Sequence, residues 1–245
     1  MRRHLFPLVA VFALAGGTAA WAGPPFATDD PQPTDTGHWE VYAFANAAHT
    51  PGVTAGESGL DLNYGAAKDL QLTLVVPAAY EASASGHLGM GVVEAAVKLK
   101  LLHQKAGTWT PDVAVFPRLF IPTASRGFGS GKLGVLLPVW AGKDFGPWSV
   151  FVGGGYQINP GAGNRNYWTG GVALTRTLGD RLSLGGEVYH RTADALGGRD
   201  LSGFNVGGSY RLTRHWSLLA AGGPGIQHAR DEGQYSLYVA LKADY

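Results

Sequence analysis

The ionisable residues that could do chemistry in this sequence fall mainly at alternate positions of extended runs. Alternation with a period of two places such residues on one face of a β-strand. Charges of both signs occur on this polar face, and unpaired charge in a narrow interior is costly, so the pattern predicts paired networks that line, narrow or brace a lumen. The balance of signs indicates neither anion nor cation selectivity. The residues concerned are Glu94, Lys98, Lys100, Asp112, Arg118, Glu187, Arg191, Arg211 and Lys242.

Motifs for other kinds of chemistry are not supported by their context. Gly129 to Gly134 fits G-x-G-x-x-G, but a dinucleotide site needs a helix after the motif and a strand follows here. The 8 histidines show no metal-ligand spacing, and the absence of cysteine excludes disulfides and thiolate catalysis. A net charge of +1 offers no basic surface for nucleic acid. We predict no metal, no cofactor, no nucleic-acid partner and no enzyme activity.

The N-terminus has the composition of a secretory signal peptide. Arg2 and Arg3 precede an apolar stretch, and Ala20-Trp21-Ala22 forms an A-x-A cleavage site before Gly23. The apolar stretch is shorter than the roughly 20 residues that a membrane-spanning helix needs. We therefore predict an exported protein whose signal peptide is residues 1–22.

Residues 23–37 form a lead segment rich in proline and aspartate. Pro24, Pro25, Pro31 and Pro33 make a helix or a central strand unfavourable in this segment. Asp29 and Asp30 make it acidic. We expect the lead segment to fold into the periplasmic mouth of the structure that follows it, with Asp29 and Asp30 as candidate residues of a plug.

From residue 38 to residue 245 the dominant period is two. Leu60-Asp61-Leu62-Asn63-Tyr64 is the clearest example, and its alternation continues after a short turn in Leu70-Gln71-Leu72-Thr73-Leu74. Such runs predict an all-β, transmembrane, antiparallel up-and-down β-barrel of about twelve strands. The predicted strands are residues 38–47, 57–65, 69–79, 89–102, 112–122, 132–142, 147–158, 166–178, 181–191, 203–212, 215–222 and 234–245.

The connections and the aromatic residues indicate how this barrel lies in a membrane. Turns after most even strands are tight, whereas those after odd strands are mostly longer, as in barrels with short periplasmic turns and long outer loops. Aromatic residues of the apolar parity gather at both strand ends, which predicts two interfacial girdles and a location in the outer membrane of a Gram-negative bacterium. They are Tyr64, Trp148, Tyr210, Trp216 and Tyr245 at the short-turn end, and Tyr156, Trp168 and Phe204 at the other.

His190 leaves one catalytic alternative open. It shares the apolar, lipid-facing parity of Leu184 and Val188. Some outer-membrane lipid hydrolases carry His-x-Ser on that surface, but here Thr192 stands in place of the serine. A serine triad needs a hydroxyl within hydrogen-bond reach of an oriented imidazole. An interfacial histidine near the outer rim is the better supported interpretation.

Several short motifs resemble the outer-membrane transporter family named for the meta-pathway of phenol degradation. The resemblance implies an outer-membrane barrel that moves small, often aromatic or apolar, compounds, and it supplies no catalytic residues. It runs from the mature N-terminus to about residue 166. The matching stretches are Pro24-Pro25-Phe26-Ala27-Thr28-Asp29-Asp30-Pro31, Gly37-His38-Trp39-Glu40, Asn63-Tyr64-Gly65, Asp69-Leu70-Gln71-Leu72, Lys143-Asp144-Phe145-Gly146-Pro147-Trp148 and Asn159-Pro160-Gly161.

Together these patterns predict a passive channel for small-molecule solutes. Its expected partners are outer-membrane lipid, the solutes themselves and the barrel-assembly machinery, since an alternating last strand that ends in the aromatic Tyr245 is the usual assembly signal. A lipid hydrolase using His190 and a structural barrel with a closed lumen are the alternatives.

Overall fold

The computed structural model describes residues 25–83, 86–230 and 233–245, so the signal peptide predicted for residues 1–22 lies outside the described residues. The described chain forms one closed antiparallel barrel, which confirms the predicted fold class. Twelve strands build it, two of them in two pieces, and every predicted strand has its counterpart. The strands are β1 (Trp39–Thr50), β2 (Val53–Ala67), β3 (Leu70–Ala82), β4 (His87–Met90 and Val93–Leu102), β5 (Asp112–Val115 and Arg118–Ile121), β6 (Gly134–Phe145), β7 (Trp148–Ile158), β8 (Tyr167–Leu178), β9 (Leu182–Arg191), β10 (Leu201–Arg211), β11 (Trp216–Gln227) and β12 (Tyr235–Asp244).

The barrel closes because its first and last strands pair. β1 and β12 are antiparallel over the whole run from Glu40 opposite Asp244 to His49 opposite Tyr235. Trp39 and Tyr245 extend this ladder by exchanging both backbone hydrogen bonds, at 2.7 and 3.0 Å. No strand edge is left along this seam, which is the condition for a sheet to cross a membrane.

Alternation along the strands separates an outer apolar face from an inner face. Leu60 and Leu72 point outward and are exposed, whereas Asn63 and Gln71 on the same two strands are buried in the interior. The residue parity inferred from the sequence therefore holds for these strands. Large apolar side chains cover the outside of the barrel, among them Val152, Val172, Val188, Val206 and Val239.

Aromatic side chains mark both ends of this apolar outer belt. Trp39 packs on Tyr64 at the short-turn end with ring centroids 4.8 Å apart, and Tyr156 packs on Trp168 at the other end at 5.0 Å. An apolar belt of this area would be unfavourable in water, whereas a bilayer accommodates it. The described residues contain no helix long and apolar enough to span a membrane.

The connections follow the predicted asymmetry with one difference. Long connections join β5 to β6 (residues 122–133), β7 to β8 (159–166) and β9 to β10 (192–200), whereas most even strands end in short turns. The sequence pattern predicted a longer connection between β1 and β2, because small and polar residues obscure the alternation there. The two strands instead continue to a two-residue turn at Pro51 and Gly52, where Gly52 has a φ of 81° that favours glycine.

The interior is more apolar than the parity argument predicted. Tyr42, Leu219 and Ala240 form one buried inward-facing cluster, and Ala96, Phe116 and Trp140 form another. These side chains fill part of the cross-section and leave the polar groups concentrated beside them.

The outer belt generates a first prediction. Val172 lies in the middle of β8 and faces outward, so Val172→Arg places a charge against hydrocarbon and lowers the free energy of unfolding by about 2–4 kcal/mol. Urea unfolding of protein refolded into lipid vesicles measures this change. Ala106→Arg, in an exposed connecting segment, is the control and leaves the stability within about 0.5 kcal/mol. Equal effects of the two substitutions would contradict a bilayer around β8.

Candidate functional site

Residues 25–37, the part of the lead segment that the structure describes, run inside the barrel. It precedes β1 at the short-turn end, and Thr28, Asp30 and Thr34 are among its buried residues. Among its described residues, one isolated backbone bridge, Thr36 to Gly65, connects it to the sheet ladder. Wall side chains from several strands supply most of its other contacts.

Glu187 on β9 anchors the start of the described lead segment. Its carboxylate accepts hydrogen bonds from the backbone N–H groups of Ala27 (2.9 Å) and Thr28 (2.7 Å). Asn205 on β10 donates a third bond to the same carboxylate at 2.7 Å. Glu187 is 1% exposed, so these three donors are what satisfies its buried charge.

Asp29 joins two cations of the wall. Its Oδ1 lies 3.0 Å from Lys98 Nζ on β4, and its Oδ2 lies 2.7 Å from an Arg118 nitrogen on β5. The Phe116 ring packs under both cations, 4.7 Å from Lys98 Nζ and 4.2 Å from the guanidinium carbon. Each oxygen of the Asp29 carboxylate therefore contacts one cation, and the apolar Phe116 ring lies against both cations.

The two aspartates of the lead segment differ in protonation. Burial by itself raises the pKa of Asp29, but the charges of Lys98 and Arg118 outweigh burial and bring the pKa below its ordinary value. Burial raises the pKa of Asp30 to about 7, with a further contribution from the Asp29 charge that Lys98 only partly offsets. Asp29 is therefore the ionised partner at neutral pH, while Asp30 is partly protonated.

Gln32 and Thr34 continue the polar contacts toward the short-turn end. The Gln32 amide donates to Asp112 at 2.7 Å and accepts from Lys100 at 2.6 Å, while Lys100 and Asp112 are 2.8 Å apart. Thr34 donates its backbone N–H to the Gln71 side chain at 2.8 Å. Gln71 in turn donates to Asn63 at 2.7 Å. A continuous polar network thus holds the segment to β2, β3, β4 and β5.

Three wall glycines make room for the lead segment. A Cβ on Gly142 would meet Pro31 at 2.9 Å, and one on Gly171 would meet Thr28 Oγ1 at 2.2 Å. A Cβ on Gly65 would lie 2.0 Å from the Asp35 carbonyl oxygen. Glycine inside a strand often marks such close backbone approach. Strand periodicity did not identify these glycines, Gln71 or Thr34 as site residues, although glycine at strand-interior positions is a signal that could have found Gly65, Gly142 and Gly171.

A cavity of about 1210 Å³ lies beside the lead segment. Its lining combines wall residues such as Lys98 and Arg118 with turn residues such as Asp180 and Arg214 at the short-turn end. The cavity therefore extends from the short turns to the charges that hold Asp29. Its volume and its mixed polar and apolar lining suit small solutes.

The other predicted lumen residues divide into wall pairs and rim residues. Glu94 lies 3.3 Å from Arg118, and Lys242 lies 3.0 Å from Glu40 and 2.9 Å from Asp244. Arg191 pairs with Asp194 where β9 gives way to the loop after it. Arg211 is exposed and lines the cavity near the short turns. The predicted charges thus form two populations, of which only one contacts the lead segment.

His190 has a hydroxyl partner that the sequence spacing did not reveal. Its Nδ1 lies 2.9 Å from Ser202 Oγ on the neighbouring strand β10, and Ser202 donates to Gln227 at 2.9 Å. Thr192 instead accepts a bond from the Trp168 backbone N–H. His190, Ser202 and Gln227 form an outer polar cluster that lies toward the long-loop end of the barrel.

The glycine-rich motif and the histidines show no further site. Gly129 to Leu133 belong to the long connection before β6, which begins at Gly134, so a strand follows the motif as the sequence indicates. Across residues 25–83, 86–230 and 233–245 no three histidine, aspartate or glutamate side chains are grouped to hold a metal ion.

Comparison with known proteins places the fold. No protein-family model matches the chain, and no curated protein matches it by sequence. An outer membrane channel from Pseudomonas putida superimposes with a TM-score of 0.70 at 15% identity, covering 88% of this chain and 98% of the channel. The translocator domain of the autotransporter NalP from Neisseria meningitidis (TM-score 0.49, 13% identity, 86% and 89% covered) and the outer membrane phospholipase A from Escherichia coli (0.48, 14%, 89% and 92%) are less similar.

The chain has the fold of an outer-membrane β-barrel. The structural likeness to the Pseudomonas putida channel supplies the fold, and the apolar outer belt with its aromatic ends supplies the membrane. These two observations agree on a location in the bacterial outer membrane.

The Glu187 anchor generates a second prediction. Because the chain contains no cysteine, Thr28→Cys introduces a single thiol at a position that is 1% exposed. Glu187→Ala in that background removes both acceptors of the segment's N–H groups and increases the rate of maleimide labelling about tenfold or more, since hydrogen bonds to a charged group contribute about 1.5–3 kcal/mol. Glu57→Ala, an inward-facing carboxylate on β2, is the matched control with an unchanged rate. Slow labelling in both variants would show that Glu187 does not hold the segment.

Proposed function

We propose that this protein is a passive channel of the outer membrane and that its lead segment closes the lumen as a plug. The observation that carries the proposal is the cavity, lined by charged and apolar side chains, that extends from the short-turn end to a segment held by side-chain contacts. The Pseudomonas putida protein that superimposes on this fold is an outer membrane channel, which supports the same conclusion. No energy source is required for such passage.

The chemistry of the plug favours displacement over permanent closure. The lead segment is joined to the wall mostly through hydrogen bonds and ion pairs, which water can replace. A segment that served as a permanent core would instead bury large apolar side chains. The Phe116 and Tyr42 clusters belong to the wall, so they remain in place when the segment leaves.

The family resemblance indicates which class of solute the proposed channel would carry. The lead segment and turn motifs are similar to those of the transporter family named for the meta-pathway of phenol degradation, and that likeness favours small compounds with aromatic or apolar parts. The buried apolar clusters beside the cavity are compatible with such solutes.

An engineered disulfide tests the plug. Pro31 lies directly against Gly142, since a Cβ on Gly142 would lie 3.0 Å from Pro31 Cγ, so the variant Pro31→Cys with Gly142→Cys places two thiols at this contact between segment and wall. We expect oxidised protein to show little conductance in planar bilayers, because the segment cannot leave, and reductant to restore the wild-type conductance. The two single-cysteine variants control for the substitutions themselves.

The outcomes of this recording separate the alternatives. An oxidised double variant that conducts like the wild type would exclude the plug and keep the channel. A wild-type chain that never conducts would exclude the channel and favour a structural barrel with a closed lumen.

The contact between His190 and Ser202 supports a second candidate function, hydrolysis of membrane lipid. With its hydroxyl turned from Gln227 to His190, Ser202 would attack an ester carbonyl while His190 accepts its proton and passes it to the departing lysolipid alcohol. Water would then hydrolyse the ester between the acyl group and Ser202 and release the fatty acid. The arrangement is incomplete, because no contact within the described residues orients the other ring nitrogen of His190. The channel therefore remains the preferred function.

Release of fatty acid from phospholipid by the purified protein tests this second candidate. We expect no release above that of empty vesicles. Activity that His190→Ala abolishes and His215→Ala preserves would establish the hydrolase, since His215 is an exposed histidine that contacts Asp244 and Tyr245 at the opposite end of the barrel.

A further inference from the structure

We infer that the pair of cations that holds Asp29 is a binding site for small organic carboxylates, and that such a solute opens the lumen by replacing Asp29. The inference rests on the proposed function and names the solute class of that same lumen.

Lys98 depends on the lead segment for its charge partners. Within the described residues, both carboxylates within 4 Å of its Nζ belong to that segment, Asp29 at 3.0 Å and Asp30 at 3.8 Å. The Lys98 side chain is only 6% exposed. Withdrawal of the segment removes both carboxylates and leaves the Lys98 ammonium facing the lumen beside the apolar Phe116 ring without an anion in contact, an arrangement that favours the binding of another anion.

The remaining lumen lysines differ from Lys98 in this respect. Lys100 has Asp112 of the wall at 2.8 Å, and Lys242 has Glu40 and Asp244 at 3.0 and 2.9 Å. Their charges stay paired whether the segment is present or absent. Lys98 is thus the lysine whose pairing changes when the lumen opens.

The geometry of the present occupant identifies the ligand. Asp29 places one oxygen on Lys98 and the other on Arg118, so the two cations are spaced for the two oxygens of one carboxylate. A single-atom anion such as chloride cannot make both contacts in that way. Glu94 already contacts another nitrogen of Arg118 at 3.3 Å. Lys98, Arg118 and Glu94 together therefore carry one net positive charge when Asp29 has left, which one further anion would neutralise.

The surroundings of the site admit an apolar body behind the carboxylate. Phe116 is 4% exposed and underlies both cations, and Trp140 and Ala96 pack against it. The 1210 Å³ cavity reaches Phe116 and opens toward the short turns. A small monocarboxylate can therefore place its charge on the cations and its carbon atoms along this apolar surface.

Replacement of Asp29 couples binding to opening. A solute that binds only when the segment has left shifts the population toward the open state in proportion to its affinity for that state. Acetate should therefore speed the labelling of a cysteine placed at Thr28, and it should raise the open probability in bilayers. Coupling of this type commonly changes an equilibrium by a factor of about 10.

Maleimide labelling of full-length Thr28→Cys tests the inference without relying on conductance. Sodium acetate should raise the labelling rate about tenfold. Sodium chloride at equal ionic strength corrects for screening, acetamide provides the neutral isostere, and sodium phosphate provides an inorganic oxyanion. We expect a small effect of all three. An equal response to chloride, acetamide or phosphate would overturn the carboxylate site.

Two lysine variants locate the response. Lys98→Gln in the same background should abolish the acetate effect, whereas Lys242→Gln, a lumen lysine with wall partners, should keep it. Asp29→Asn leaves the wall intact and should give fast labelling without acetate. Heat-modifiable migration on gels checks that each barrel has folded. An acetate effect that survives Lys98→Gln, or slow labelling of Asp29→Asn, would contradict the inference.

Labelling and conductance together distinguish the two proposals. Acetate-dependent labelling without any conductance would exclude the channel and keep the carboxylate site. Conductance together with a labelling rate that acetate does not change would support the channel and exclude the carboxylate site.

Discussion

Backbone hydrogen bonding in a medium without water is the constraint on which this structure depends. Hydrocarbon offers no partner for an unpaired N–H or carbonyl group, so a sheet that crosses it must close. Here closure is the pairing of β1 with β12, completed by the bonds between Trp39 and Tyr245. Because β1 starts at this seam, the chain that precedes it emerges at the short-turn end of the lumen. The position of the lead segment is thus a consequence of how the barrel closes.

Closure with twelve strands creates the second problem, which is an interior wider than side chains readily fill. Two wall clusters, around Tyr42 and around Phe116, occupy part of the space. The lead segment occupies another part, and three glycines at Gly65, Gly142 and Gly171 let its backbone approach the wall. Its carboxylate at Asp29 then neutralises cations that the wall leaves incompletely paired. Packing and electrostatics therefore converge on the same segment, which fills part of the barrel and pairs charges of its wall.

Much of the fold was predictable because a half-buried strand repeats every two residues. The alternation in Leu60 to Tyr64 and in Leu70 to Leu74 identified strands and their faces, and β2 and β3 confirm both. The β1–β2 connection was harder, since Ala47, Ala48 and Gly56 carry little hydrophobic contrast and hide the continuation of both strands. The interior clusters were also hidden, because an aromatic residue such as Tyr42 looks the same in sequence whether it faces lipid or lumen.

The sequence by itself indicated a barrel of about twelve strands and showed which charges share a face, because a period of two, turn lengths and the aromatic residues at strand ends are all legible along the chain. The tertiary structure alone decided which of those charges meet. Lys98 and Arg118 lie on different strands from each other and come from a distant part of the chain relative to Asp29, so strand register and the path of the lead segment bring them together. The same holds for His190, whose hydroxyl partner is Ser202 across the β9–β10 ladder and not Thr192 two residues away. Residue spacing along the chain determines which face of a strand a side chain occupies, whereas the register between strands determines which side chains meet in a site.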